Sequence, residues 1–89
     1  MQLEPEVTKD VVTRLRRVQG QVAGIVAMLE DGRDCSDVVT QLAAASKALD
    51  RAGFKLVSSG LRQCLTVENE GGQPGMSPEQ LEKLFLSLA

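Results

Sequence analysis

Eighty-nine residues, 43% hydrophobic and 25% charged with only two aromatics, Phe54 and Phe85, describe one domain spanning 1–89. So few rings argue against a sandwich or barrel core and for an all-α fold. The formal charge of -2 does not by itself suggest a nucleic-acid partner, and the lack of any histidine removes imidazole metal sites and every imidazole-based triad or general base.

No enzymatic activity is expected. A chain this short buries only about 60% of the surface its unfolded form exposes, so oligomerisation, metals or disulfides are expected to supplement its core. Two cysteines are too few for a disulfide framework. The start, Met1 to Glu6, has neither a basic run nor an apolar core for export, and a reducing cytoplasm is expected. The longest uncharged stretch, Val18 to Leu29, is 12 residues, well under the roughly 20 that cross a bilayer, so no membrane contact is expected.

The first helix is expected at about 6–31. Its apolar positions Val11, Leu15, Val18, Val22, Ile25 and Leu29 step by fours and threes, as a heptad seam does. Glu6 to Thr8 should start it and Gly32 should end it. Gly20 and Gly24 within it are expected to mark close packing rather than a membrane motif.

A second helix is expected at about 35–66, capped by Asp34 or Ser36, with Cys35, Val38, Leu42, Ala45, Leu49, Ala52, Leu56 and Ser59 as its seam. Its small seam residues permit close helix approach. Gly53 and Gly60 each weaken a helix by about 1 kcal/mol relative to alanine, so a bend or fraying is expected beyond Ser58. Residues 68–76 read as a loop. Ser77, Pro78 and Gln80 then form a capping box with proline at the first helical position, opening a third helix at about 78–88 whose apolar face is Leu81, Leu84, Phe85 and Leu88.

Two long seams with one short third helix leave each seam without enough partners. An antiparallel four-helix-bundle dimer answers this, with a monomeric three-helix packing as the alternative.

The charge distribution says more than its sum. Acids cluster at residues 4–10, 30–37 and 68–82, apart from Asp50. Residues 11–29 therefore carry Arg14, Arg16 and Arg17 unopposed. Lys47, Arg51 and Lys55 recur every fourth residue, which puts them on one helix face. This stripe is either a solvated face or part of a positive surface that oligomerisation repeats.

Cys35 and Cys64 stand 29 residues apart on the second helix, about 43 Å if it is unbroken, so they cannot meet within one chain. Antiparallel pairing of two such helices about Leu49 and Asp50 would bring Cys35 of one protomer level with Cys64 of the other. Two thiolates suit Cu(I), or sulfur chemistry by disulfide exchange, while two small buried hydrophobes are the alternative. The helix N-terminus favours a Cys35 thiolate, and Asp34 and Asp37 oppose it.

Arg14-Leu15-Arg16-Arg17-Val18-Gln19-Gly20-Gln21-Val22-Ala23-Gly24-Ile25, Met28-Leu29-Glu30, Cys35, Asp37 to Leu42, and Leu61-Arg62-Gln63-Cys64 together resemble the CsoR/RcnR family of bacterial transcriptional repressors over about residues 9–67. That resemblance implies an all-α three-helix protomer, an antiparallel four-helix dimer and a dimer-of-dimers tetramer. It also implies operator DNA as a partner, released when an inter-protomer site is loaded. By position, Arg14 and Arg51 match the family's principal DNA contacts, with Arg16, Arg17, Lys47 and Lys55 in support; many members carry an arginine where this chain has Ala23.

The departures bear on the effector. Copper-sensing members hold Cu(I) with two cysteines and a histidine four residues before the second, where this chain has Gly60. Nickel and cobalt sensors use several histidines, and formaldehyde sensors pair the first cysteine with an N-terminal proline, where Gln2 stands. The chain most resembles the CstR-like persulfide-sensing members, which keep both cysteines without the histidine. The resemblance therefore implies low-molecular-weight persulfides as inducers, with Cys35 attacking, Cys64 resolving, and di- to tetrasulfide bridges releasing DNA. No cofactor is expected on that reading. A repressor holding Cu(I) through Cys35 and Cys64 is the alternative, and a thiol or sulfur carrier that does not bind DNA is a third.

Overall fold

The computed structural model describes residues 3–69, 71 and 77–88, apart from the side chains of residues 64 and 67–69. Three helices follow in order: α1 (Pro5–Glu30), α2 (Cys35–Asn69) and α3 (Pro78–Leu88), with no strand among the described residues.

Pro5 begins α1 where its missing N–H is not needed, one residue before the expected start. The Glu4 N–H donates to Gln63 Oε1 at 3.2 Å, tying this end of α1 to the C-terminal half of α2. At the other end Gly32 takes φ 70°, and its N–H and that of Arg33 close onto the Leu29 and Met28 carbonyls at 3.1 and 2.9 Å. Only glycine enters that left-handed region cheaply, so the chain reverses there.

Asp34 is the cap of α2. Its Oδ2 accepts from the Ser36 N–H at 3.2 Å and from the Ser36 hydroxyl, while its carbonyl accepts from the Val38 N–H at 3.2 Å. The two bonds from Ser36, the hydroxyl first, hold the Asp34 carboxyl below its ordinary pKa.

The helix then runs 35 residues, about 52 Å, through Gly53 and Gly60 without interruption. Helical structure thus continues past Ser58, the point where a bend or fraying is expected from the sequence. Ala52, Ser59 and Gly60 are buried, and packing against neighbouring helices outweighs a propensity deficit of about 1 kcal/mol per glycine. Residues 68 and 69 of the expected loop are consequently helical. Gly71 turns with φ 82°, and the rest of that loop, residues 70 and 72–76, lies outside the described residues.

The expected capping box opens α3: the Gln80 N–H donates to Ser77 Oγ at 3.2 Å and the Ser77 N–H to Gln80 Oε1 at 2.8 Å. Leu81 is buried, and Phe85 packs on Phe54 of α2 with ring centroids 5.1 Å apart. Leu84, expected on the same apolar face, points outward instead, as does Leu86.

α1 lies antiparallel on α2, with Ile25, Val38, Ala45 and Met28 clustered beside the turn. Among the described residues α3 packs on α2 and not on α1, so the helices stand side by side rather than around a common axis. The molecule measures 57 × 24 × 13 Å, and its smallest dimension is about one helix diameter. Its radius of gyration, 16.9 Å, exceeds the roughly 12 Å of a compact domain of this length.

This geometry divides each predicted seam. Val11, Val18 and Ile25 of α1 meet Val38, Ala45 and Ala52 of α2, and all six are buried. The alternate row remains open: Leu15, Val22 and Leu29 are 39%, 48% and 62% exposed, and Leu42, Leu49 and Leu56 are 55%, 50% and 40% exposed. Gly20 and Gly24 do not mark close packing within the protomer, since nothing stands within 4 Å of a Cβ built at either.

Candidate nucleic-acid interface and thiol site

The two faces of the α1–α2 layer differ in chemistry. On a helix of heptad phase, Arg14 and Arg17 flank the buried Val11–Val18–Ile25 row on the side opposite Leu15 and Val22. Ala48 and Arg51 flank the α2 row on the same side. Arg14, Arg17, Ala48 and Arg51 accordingly line one hollow of about 140 Å³ between the helices. Ala48 offers only a methyl group, which leaves space between the guanidinium groups. Lys47 is exposed one turn before Arg51, and Lys55 stands one turn after it.

A carboxylate belongs to this groove. Asp10 Oδ1 accepts from Arg14 Nε at 3.2 Å, and Asp10 Oδ2 lies 3.9 Å from Lys55 Nζ, bridging α1 to α2. In the sequence Asp10 stands only as part of an acidic block. Its four-residue spacing from Arg14 was the available signal, whereas the approach of Lys55 depends on the fold. Arg16, grouped with Arg17 in the sequence, lies elsewhere: it lines a separate hollow with Val12, Leu15 and Gln19, beside the open apolar row.

On that apolar face Leu15, Val18, Val22 and Ala23 of α1 and Leu49 of α2, with Gln19, surround an open depression of about 610 Å³. Side chains of this kind, half uncovered at heptad spacing, match a surface that receives another helix.

Cys35 is exposed as the first residue of α2, next to the capping Asp34. Position 64 lies 29 residues further along the same unbroken helix, about 43 Å away, and the Cys64 side chain lies outside the described residues. Gly60, one turn before position 64, is buried and brings no donor. No group of three or more histidine, cysteine or carboxylate side chains capable of holding a metal occurs among the described residues. The described residues of one protomer therefore offer no such set, while two sulfurs brought together from two chains would suit the soft ion Cu(I). No described helix is long and apolar enough to cross a membrane.

The family model for metal-sensitive transcriptional repressors matches residues 7–87. The chain belongs to that family. Among the chain's relatives, the copper-sensing transcriptional repressor RicR of Mycobacterium tuberculosis is 44% identical over 62 residues, 70% of this chain. The match spans 65% of RicR, just under two thirds of its length. The copper-sensing transcriptional repressor CsoR of Bacillus subtilis is 31% identical over 78 residues, covering 86% of this chain and 77% of that one. The solved structure of the nickel-responsive transcriptional regulator InrS superposes with a TM-score of 0.69 at 27% identity, covering 99% of this chain and 92% of InrS. The three-helix all-α fold is thus shared with a metal-responsive regulator, although this family member has no histidine.

Proposed function

We propose that this chain is a cytoplasmic operator-binding transcriptional repressor whose Cys35 and partner's Cys64 form an inter-protomer dithiol responsive to low-molecular-weight persulfides. The observation that carries the reading is the two-sided layer, with an arginine groove on one face and an uncovered heptad row on the other. Leu42 and Leu56 stand equally far from Leu49. Antiparallel pairing of α2 about Leu49 covers that row, closes a four-helix bundle and brings Cys35 close to level with the partner's Cys64. Symmetry then repeats Arg14, Arg17 and Arg51 over a larger cationic surface, extended again in a dimer-of-dimers tetramer, with Lys47 and Lys55 beside them for phosphate contact. Arg16, at the edge of the apolar face, serves the protomer contact or its rim.

The sulfur chemistry balances without a metal. A Cys35 thiolate attacks the sulfane sulfur of a persulfide, the S–S bond breaks, and the low-molecular-weight thiol leaves with the proton. The partner's Cys64 thiolate then attacks the cysteine-bound sulfur of that new persulfide and expels hydrosulfide, giving a disulfide. Two cysteine persulfides condense to a trisulfide with loss of hydrogen sulfide, and sulfane transfer from a further low-molecular-weight persulfide, whose thiol leaves, extends this to a tetrasulfide. Each product is a covalent link across the bundle, and favouring a bundle geometry that no longer fits DNA would couple the two sites.

A second reading, Cu(I) held by the same two sulfurs, is favoured by the copper-sensing relatives. In that reading the metal supplies a reversible, soft-ligand crosslink, and the cysteines hold it. The test is anaerobic treatment of the reduced protein with glutathione persulfide. It is followed by non-reducing intact-mass measurement and by binding to fluorescent DNA taken from upstream of the chain's own gene. A covalent dimer gaining mass in whole-sulfur steps and losing DNA, both absent in Cys35→Ala, is the expected result. Unmodified monomers, with DNA released by Cu(I) and regained with a strong Cu(I) chelator, would establish copper sensing instead. Absence of salt-dependent DNA binding would leave a sulfur carrier.

A further inference from the structure

Asp10 places an anionic group against the cations that line the arginine groove. Its two oxygens engage cations from both helices of the arginine groove, Arg14 Nε at 3.2 Å and Lys55 Nζ at 3.9 Å, while Arg14 also lines the hollow shared with Arg17 and Arg51. A carboxylate and a phosphate oxygen are the same kind of partner for a guanidinium or ammonium group, since each accepts charge-assisted hydrogen bonds. We propose that Asp10 is an intramolecular counter-ion that competes with DNA phosphates for Arg14 and Lys55, setting the affinity and salt sensitivity of the free repressor. The proposal rests on the groove's reading as a DNA surface.

Two physical consequences separate this role from a merely structural one. The Arg14 side chain is 43% exposed and that of Lys55 37% exposed, so both are within reach of solvent and of a second anion. Phosphate binding to a cation already neutralised by Asp10 must displace the carboxylate or leave it beside a like charge. Either outcome reduces the net counter-ion release that drives DNA binding. The carboxylate therefore lowers both the affinity and the number of phosphates the groove neutralises.

Asp10→Asn tests the charge while preserving shape, because its amide oxygen still accepts from Arg14 Nε. Binding is measured by fluorescence anisotropy, between about 0.05 and 0.3 M salt, on the upstream DNA and on a random-sequence duplex of equal length. We expect Asp10→Asn to bind both duplexes about three- to tenfold more tightly near 0.15 M salt, with a log–log salt slope steeper by about 0.9 for each phosphate gained. Asp10→Glu, which keeps the charge, should stay near the parent. Asp37→Asn controls for net charge. Asp37 pairs with Arg33 at 3.8 Å near the start of α2, about 21 Å along the helix from Arg51 and two Debye lengths away at 0.1 M salt.

Unchanged or weaker binding by a folded Asp10→Asn, judged by parental helical content and melting, would overturn the counter-ion role and leave the DNA reading standing. Equal tightening by Asp37→Asn would reduce the effect to net charge and overturn it as well. If the parent binds neither duplex in a salt-dependent way, both the DNA reading and this proposal fall.

Discussion

Leu88 of α3 closes over the backbone of α2 at Gly53: a Cβ built on that glycine would stand 3.0 Å from Leu88 Cδ1 and 3.3 Å from Cδ2. The contact is tight, but its far side is the mobile end of a leucine. Gly53→Ala should therefore leave stability within about 1 kcal/mol of the parent, because the gain in helix propensity offsets the small displacement of Leu88. Gly53→Leu has no such room. It should unseat α3 while α1 and α2 stay paired, read as selective proteolysis after residue 70 with most helical signal retained.

The open row of leucines supplies the second prediction. Leu49 is half exposed in the protomer, so Leu49→Glu meets no steric obstacle there, whereas burying a leucine against a partner is worth about 1.5–3 kcal/mol per copy. Light scattering during size-exclusion chromatography should show Leu49→Glu as a monomer at concentrations where the parent is a dimer or larger. Persistence of the parental mass would mean that protomers associate by another face.

Ser59 continues the buried row of Val38, Ala45 and Ala52, and its hydroxyl has no hydrogen-bond partner among the described residues. A buried unpartnered hydroxyl is destabilising, and Ser59→Ala should raise unfolding stability by about 1 kcal/mol in urea titrations. A loss of stability would mean that the assembled protein provides the hydroxyl with a partner.

The cap of α2 carries a pH dependence of definite sign. The Asp34 carboxyl is held below its ordinary value of 3.8 by hydrogen bonds from Ser36. A depressed folded-state pKa means that its stabilising contribution is fully present above 3.8 and is lost as the pH falls through the lower folded value. Thermal melts of the parent should accordingly lose stability in that acid range more steeply than those of Asp34→Asn, in which an uncharged amide still caps the helix. Parallel losses would assign the acid sensitivity to other carboxylates.

The charge assignment is tested by Arg14→Ala combined with Arg51→Ala, which should weaken binding to the upstream DNA and flatten its log–log salt slope by at least the one phosphate contact of Arg51, Arg14 being partly offset by Asp10. Parental affinity in a folded double variant would remove these residues from the interface.

Much of this architecture is written in local sequence. Pro5, Gly32, Asp34 and the Ser77–Gln80 pair mark helix ends because caps and left-handed turns are satisfied within a few residues. The heptad spacing on α1 and α2 likewise follows from residue order alone, and it specified two amphipathic helices correctly.

Tertiary structure alone decided how each seam was shared. Periodicity records that Val18 and Val22 are both apolar; it does not record that Val18 meets α2 while Val22 faces outward, because both choices satisfy the same spacing. It brought Arg14 and Arg17 of α1 to one hollow with Arg51 of α2 and left Arg16 outside it. It carried α2 through Gly53 and Gly60, where packing outweighed propensity, and it brought Asp10 to Lys55 across 45 residues of chain. These are contacts between elements, and their energies arise only once the helices have met.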